Sequence, residues 1–217
     1  MPTESRIQMP PRSMRNILAS KVMITAENIA YAVFPIAQEM HRLKPDYAIA
    51  LDRGGRPVGL ATHMLYNALY GSLPTADHSI HFTKISRKLP YQTIYDRLRP
   101  IAQMAMETQT RPVVYVIDDW TFTGRTKQLI THALSDLSEN RIITHFGMLR
   151  GFGKNTVGDR FSICGTQWHD KNELVGVQYG SGASKATPLH TTSSIQFRKK
   201  ISESVKTFAQ AAQLPLQ

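Results

Sequence analysis

Two adjacent carboxylates, Asp118 and Asp119, are the residues of this chain whose type and setting best suit them to chemistry. They close an apolar, β-branched run over residues 113–117. Trp120 and a Thr- and Gly-rich turn, Thr121 to Thr126, come next, and then a helical stripe of Leu129, Ile130, Ala133, Leu134 and Leu137. A buried strand opening into a helix N-terminus is an anion site, because free backbone N–H groups and the helix dipole converge there. Carboxylates beside such a site repel a bare anion. They suit a ligand that carries hydroxyls or a metal next to its phosphate, since ionised carboxylates accept hydrogen bonds from hydroxyls. Residues 113–126 therefore point to a sugar phosphate. The plain alternative is a helix-capping pair on a solvated turn.

A second strand–turn–helix unit lies upstream. Residues 47–51 (YAIAL) read as a short buried strand, followed by Asp52-Arg53-Gly54-Gly55-Arg56-Pro57. Two glycines permit unusual backbone angles and close approach of a ligand to the main chain. Pro57 fits the first turn of a helix, which Val58, Leu60, Ala61, Met64, Leu65, Ala68 and Leu69 continue to Gly71. The turn between strand and helix is basic. Taken alone, it is a tight turn and nothing more.

These two units must be positioned by the rest of the chain. Residues 25–43 carry Ile29, Val33, Phe34, Ala37 and Met40 at near-helical spacing, with Pro35 predicting a kink or a helix start. Residues 79–83 read as a strand, 84–90 as an exposed basic loop, and 90–109 as a weak helix. Residues 141–149 form another strand, with shorter ones expected at 161–164 and 174–177. Strands alternating with helices predict an α/β fold, a mostly parallel central sheet covered on both faces. Residues 1–20 read as a flexible N-terminal arm, 21–179 as the α/β domain, and 180–217 as a flexible basic C-terminal segment. In that last segment, small polar residues fill 180–194, and an amphipathic helix from Ile195 carries Ile201, Val205 and Phe208 on one side.

The 217 residues are enough for one sizeable core, and the composition (41% hydrophobic, 19% charged) is that of a globular protein. The sequence offers no run of about 18 apolar residues, so no membrane association is expected. The first residues lack the apolar core of a secretory signal. The single cysteine, Cys164, excludes an internal disulfide framework and a Cys-based zinc site and fits a cytoplasmic location. Eight histidines show no metal-ligand spacing. A net charge of +10 implies attraction to polyanions or phosphorylated metabolites. That charge is dispersed, and a simply solvated basic surface is the alternative.

The segment VYVIDDWTFTGRT (114–126) resembles the phosphoribosyl pyrophosphate (PRPP) motif of type I phosphoribosyltransferases, and YAIALDRGG (47–55) is similar to that family's pyrophosphate loop. The resemblance spans about residues 45–150, roughly half the chain. It implies the family's α/β fold with a small variable hood, and it implies roles residue by residue. Asp118 and Asp119 would accept the ribose hydroxyls and help place Mg²⁺ carried by PRPP. Thr121, Phe122, Thr123, Gly124, Arg125 and Thr126 would wrap the 5′-phosphate. Arg53, Gly54 and Gly55 would bind pyrophosphate on a loop that in this family often holds a non-proline cis peptide. Lys84, Arg87 and Lys88 would belong to a mobile loop closing over the ligand, with a solvated loop as the alternative. Trp168 and Tyr179 would contact the acceptor, or else serve as ordinary aromatic packing residues.

The reaction implied is transfer of the phosphoribosyl group to a nitrogenous, nucleobase-type acceptor with release of pyrophosphate, by a homodimer. One departure matters. Purine-salvage members commonly carry an Asp, acting as general base, where this chain has Phe122. Trp120 is also bulkier than the family's usual aliphatic residue. The catalytic base is thus unassigned, and a second function stands beside the enzyme: a non-catalytic PRPP-sensing regulator that binds nucleic acid.

Overall fold

The computed structural model describes residues 25–86, 88–121, 124–151, 177–179, 186–188 and 192–213. In chain order these give α1 (Ile29–Leu43), β1 (Tyr47–Leu51), α2 (Asp52–Tyr70), β2 (His81–Thr83), α3 (Tyr91–Thr108), β3 (Val113–Thr121), α4 (Arg125–Ser138) and β4 (Ile143–Gly151). The short strands β5 (Val177–Tyr179) and β6 (Ala186–Pro188) and the helix α5 (Thr192–Gln213) follow. The first four strands form an all-parallel sheet in the order β2-β1-β3-β4. The α/β class expected from the sequence is the one observed. β5 and β6 pair antiparallel as a separate ribbon.

Side-chain alternation along the strands builds two cores. Ala48 and Ala50 of β1, with Tyr115 and Ile117 of β3, face one way and meet Val33, Ile36, Ala37 and Met40 of α1, Val58, Ala61 and Leu65 of α2, and Ile201, Val205 and Phe208 of α5. Tyr47, Ile49 and Leu51, with Val114 and Val116, face the other way and meet Ile94, Leu98 and Ala105 of α3 and Ile130, Ala133 and Leu134 of α4. Strands buried on both faces are near-continuous apolar runs for this reason. The C-terminal helix is thus built into the first core, where Phe208 also packs its ring 5.0 Å from those of Tyr31 and Phe34. No helix among the described residues is long and apolar enough to cross a membrane.

Three expectations are corrected. Residues 52–56 form no loop: α2 starts at Asp52, directly after an extended Leu51. Two glycines disfavour that start by about 1 kcal/mol each, but propensity is a weak prior that packing overrides. No cis peptide bond occurs among the described residues. Second, β3 does not stop before the carboxylates. It runs on to Thr121 because β4 keeps pairing with it, Asp118 opposite Met148, Trp120 opposite Arg150 and Thr121 opposite Gly151. Third, the small polar stretch 180–194 is not structureless throughout, since it contributes β6 and the first residues of α5. Pro35 lies inside a continuous α1 rather than at its start. The strands expected at 161–164, and most of that at 174–177, lie outside the described residues.

Two half-buried histidines, His63 on α2 and His145 on β4, are held below their ordinary pKa by loss of solvation; at His145, Glu39 opposes that effect and Arg42 adds to it. A histidine whose pKa falls on folding binds fewer protons folded than unfolded, so the stability it contributes is complete above about pH 6.5 and is lost as pH drops toward the folded value. The expected result is a urea midpoint that declines from pH 7 to pH 5, with a shallower decline in His145→Gln. A variant slope equal to the wild type's would show that His145 contributes nothing.

Candidate functional site

The parallel register sets the site. β1 pairs with β3 with Ala50 opposite Ile117, so the residues after each position, at the C-terminal ends of both strands, lie side by side. In open parallel sheets ligands bind outside these carboxyl ends. Three features gather there: the start of α2 at Asp52, the carboxylate pair near the tip of β3, and the start of α4 at Arg125.

The two motifs are in direct contact. Gly55 packs so closely on β3 that a Cβ at this position would stand 2.9 Å from the Ile117 carbonyl oxygen, 3.2 Å from the Asp118 Cα and 3.4 Å from Asp118 Oδ1. Only a residue without a side chain lets the helix come so near. Asp118 Oδ1 in turn accepts a 2.9 Å hydrogen bond from the Asp119 backbone N–H. The Asp118 carboxylate thus stands against the start of α2, and Asp119 follows it near the C-terminal end of β3. Both are partly exposed and so open to a ligand.

The anion-binding half of the motif is partly described. Thr121 ends β3 rather than belonging to the turn, and Phe122 and Thr123 lie outside the described residues. Gly124 takes φ of 72°, a left-handed conformation that suits glycine, and is the N-cap of α4. Arg125 and Thr126 open that helix, whose first-turn N–H groups and dipole favour an anion. Lys127 follows in the same turn. Its ammonium lies 5.2 Å from the centroid of Phe146, and burial lowers its pKa. Arg53 and Gly54 are in the first turn of α2, where backbone N–H groups have no helical acceptor.

Of the other expected site residues, Lys84 directly follows β2, whose Thr83 pairs in parallel with Leu51, and so leaves the sheet at the same edge as Asp52. Lys88 follows in the connection between β2 and α3. That connection is tied down by the buried Ile85 and by a hydrogen bond from the Arg97 guanidinium to the Lys84 carbonyl. Arg87 and Trp168 lie outside the described residues, and Tyr179 ends β5 opposite Ala186. Among the described residues, no three His, Cys, Asp or Glu side chains converge to hold a metal.

One residue without a role in the motif is now conspicuous. Arg56 is 5% exposed, and its guanidinium carbon stands 5.2 Å from the centroid of Phe82 on β2. The signal for it is helical spacing. Arg56 and Gly59 share the face turned to β2, which is visible only once the helix is known to begin at Asp52 rather than at Pro57.

No family model matches the chain, and no curated protein matches it. Among solved structures the chain is similar to the purine phosphoribosyltransferase from Pyrococcus horikoshii Ot3. The identity is 16%, the TM-score is 0.42, and the match covers 64% of this chain and 83% of that one. A likeness of this size assigns neither family nor activity.

The Gly55 contact leads to a direct expectation. Gly55→Ala forces a methyl against backbone that cannot move aside, so α2 must lift from β3, at a cost of about 1–3 kcal/mol. Chemical denaturation of wild type and variant reads this. An unchanged midpoint would mean that the helix start is not seated on β3.

Proposed function

We propose that the chain is a phosphoribosyltransferase that binds Mg-PRPP across the C-terminal ends of β1 and β3 and transfers its phosphoribosyl group to a nitrogenous acceptor. The single observation that carries this reading is the seating of Gly55 on Ile117 and Asp118. It sets the N-terminus of α2 against the carboxylate pair of β3, the strand that leads on to the N-terminus of α4, and this fits a ligand with a phosphate group at each end and a diol between.

In this reading Arg53, Gly54 and Gly55 at the start of α2 receive the pyrophosphate, and Thr121, Phe122, Thr123, Gly124, Arg125 and Thr126 receive the 5′-phosphate. Asp118 and Asp119 accept the ribose hydroxyls. Mg²⁺ suits such a site, because it keeps water and substrate oxygens as ligands and needs few protein carboxylates. When bound with PRPP it offsets charge on the leaving pyrophosphate. The reaction breaks the bond from the anomeric carbon to a pyrophosphate oxygen and forms one to the acceptor nitrogen. The chain's own part is to position the reactants and to stabilise leaving-group charge with helix N-termini and Arg53. Phe122 offers no base, so the acceptor's proton leaves to a group outside this motif or to solvent.

The same PRPP site would serve a regulator, which Phe122 and the net charge of +10 favour. Calorimetric titration with Mg-PRPP, followed by a screen of nucleobases for pyrophosphate release, separates the two. Absence of binding at millimolar PRPP rejects both. Binding without turnover, combined with salt-sensitive nucleic-acid binding, selects the regulator. Asp118→Asn combined with Asp119→Asn preserves shape while removing both charges. We expect loss of PRPP binding with an unchanged melting temperature. A double variant that binds PRPP normally contradicts the assignment.

A further inference from the structure

We infer that the connection between β2 and α3 is a fixed wall beside the diphosphate end of the site, not a loop that closes over the ligand, and that Arg97 is the positioning residue that holds it. The inference rests on the PRPP reading for the identity of the ligand alone. Thr83 pairs with Leu51, so the chain leaves β2 next to the start of α2, and residues 84–90 span from that edge to α3. A basic stretch so placed could swing over an anion if it were loose. Its described residues are instead anchored at both ends. Ile85 is 2% exposed, and Leu89 packs against the same core, which Ile94 and Leu98 of α3 share. Between these two side chains the backbone turns on Ser86. The Ser86 carbonyl accepts from the Leu89 N–H at 3.0 Å, and its hydroxyl accepts from the Lys88 N–H at 3.2 Å. From α3, the Arg97 guanidinium donates to the Lys84 carbonyl.

Closure would draw Ile85 and Leu89 out of the core. Exposing even one such aliphatic side chain makes the open form about tenfold rarer or more. It would also cost the Lys84 carbonyl a charge-assisted donor. Arg97 is well placed to hold that carbonyl, because it lies between Ile94 and Leu98 on a helix whose inner face is wholly buried there. A wall that is fixed before the ligand arrives costs no ordering on binding and does not gate the departure of product. Arg97 acts through the backbone that it holds, not by touching the ligand.

Hydrogen exchange of the full chain, read by mass spectrometry, tests both parts. It is measured on the free protein, with saturating magnesium pyrophosphate, and with Mg-PRPP. In free wild type the Lys88 and Leu89 amides are expected to exchange about tenfold or more slowly than an unstructured chain. Either ligand leaves those rates unchanged and protects the first turns of α2. Exchange at the unstructured rate, or fast exchange that slows when ligand is added, is the behaviour of a closing loop and overturns the inference. In Arg97→Met the same amides are expected to exchange about tenfold faster than in wild type. Pyrophosphate then binds more weakly, the β1 and β3 amides are unchanged, and Arg97→Lys restores most of both properties. Wild-type exchange in Arg97→Met, or faster exchange spread over the whole sheet, overturns the role of Arg97. If Arg97→Met does not fold, Arg97→Gln, too short to reach Lys84, is read in the same way. Failure of the wild type to bind either ligand rejects the PRPP reading, and the rates in the free proteins still decide whether the connection is fixed and whether Arg97 fixes it.

Discussion

The close seating of the α2 start on β3 is the constraint from which the rest of this structure follows. Parallel pairing of β1 with β3 places Ala50 opposite Ile117, so the chain leaving β1 at Asp52 emerges beside Asp118. The helix must begin at once and lie flush on the neighbouring strand, and Gly55 is the residue that allows it, since any Cβ there would press on the Ile117 carbonyl. If α2 stood a few ångströms further out, its first-turn N–H groups and the β3 carboxylates would no longer address one ligand.

The two cores serve this alignment from opposite faces. α1, α2 and α5 bury Ala48, Ala50, Tyr115 and Ile117, while α3 and α4 bury Ile49, Leu51, Val114 and Val116. Small residues on one face of β1 let α2 approach closely: a Cβ at Gly59 would stand 2.6 Å from that of Ala50. The C-terminal helix closes the first face: Ile201, Val205 and Phe208 turn inward, and the Ser204 hydroxyl accepts a 3.3 Å hydrogen bond from the Ala30 N–H of α1. A segment that is basic on its surface is in this way part of the scaffold that holds α2 in place. Lys200 meets Glu27 at 2.9 Å, and Lys199 stands 3.9 Å from Glu203, so part of its charge is answered within the chain.

Much of the fold was legible in the chain. The runs at 47–51 and 113–117, each followed by a helical apolar stripe, announced a parallel α/β sheet because such strands are covered on both faces and need no polar alternation. The stripe of Ile201, Val205 and Phe208 was legible too. The start of α2 was not, because Gly54 and Gly55 read as turn residues and Pro57 as the helix's first turn. Nor was the true end of β3, because Asp118 and Asp119 look like loop residues until β4 supplies their ladder partners. Arg56 gave no sign of burial, since arginine is an exposed residue in most settings.

The sequence alone determined that two acidic residues end an apolar strand, that a Gly-rich basic turn follows another, and that both units belong to one α/β domain. Local periodicity and residue chemistry carry that information. Only the tertiary structure decided that the two units touch, that β3 runs on through both carboxylates, and that Arg56 is buried against Phe82 of β2. Strand order, register and the depth of a helix on a sheet are set by pairings among residues far apart in the chain. No local pattern encodes the distance at which two such segments meet.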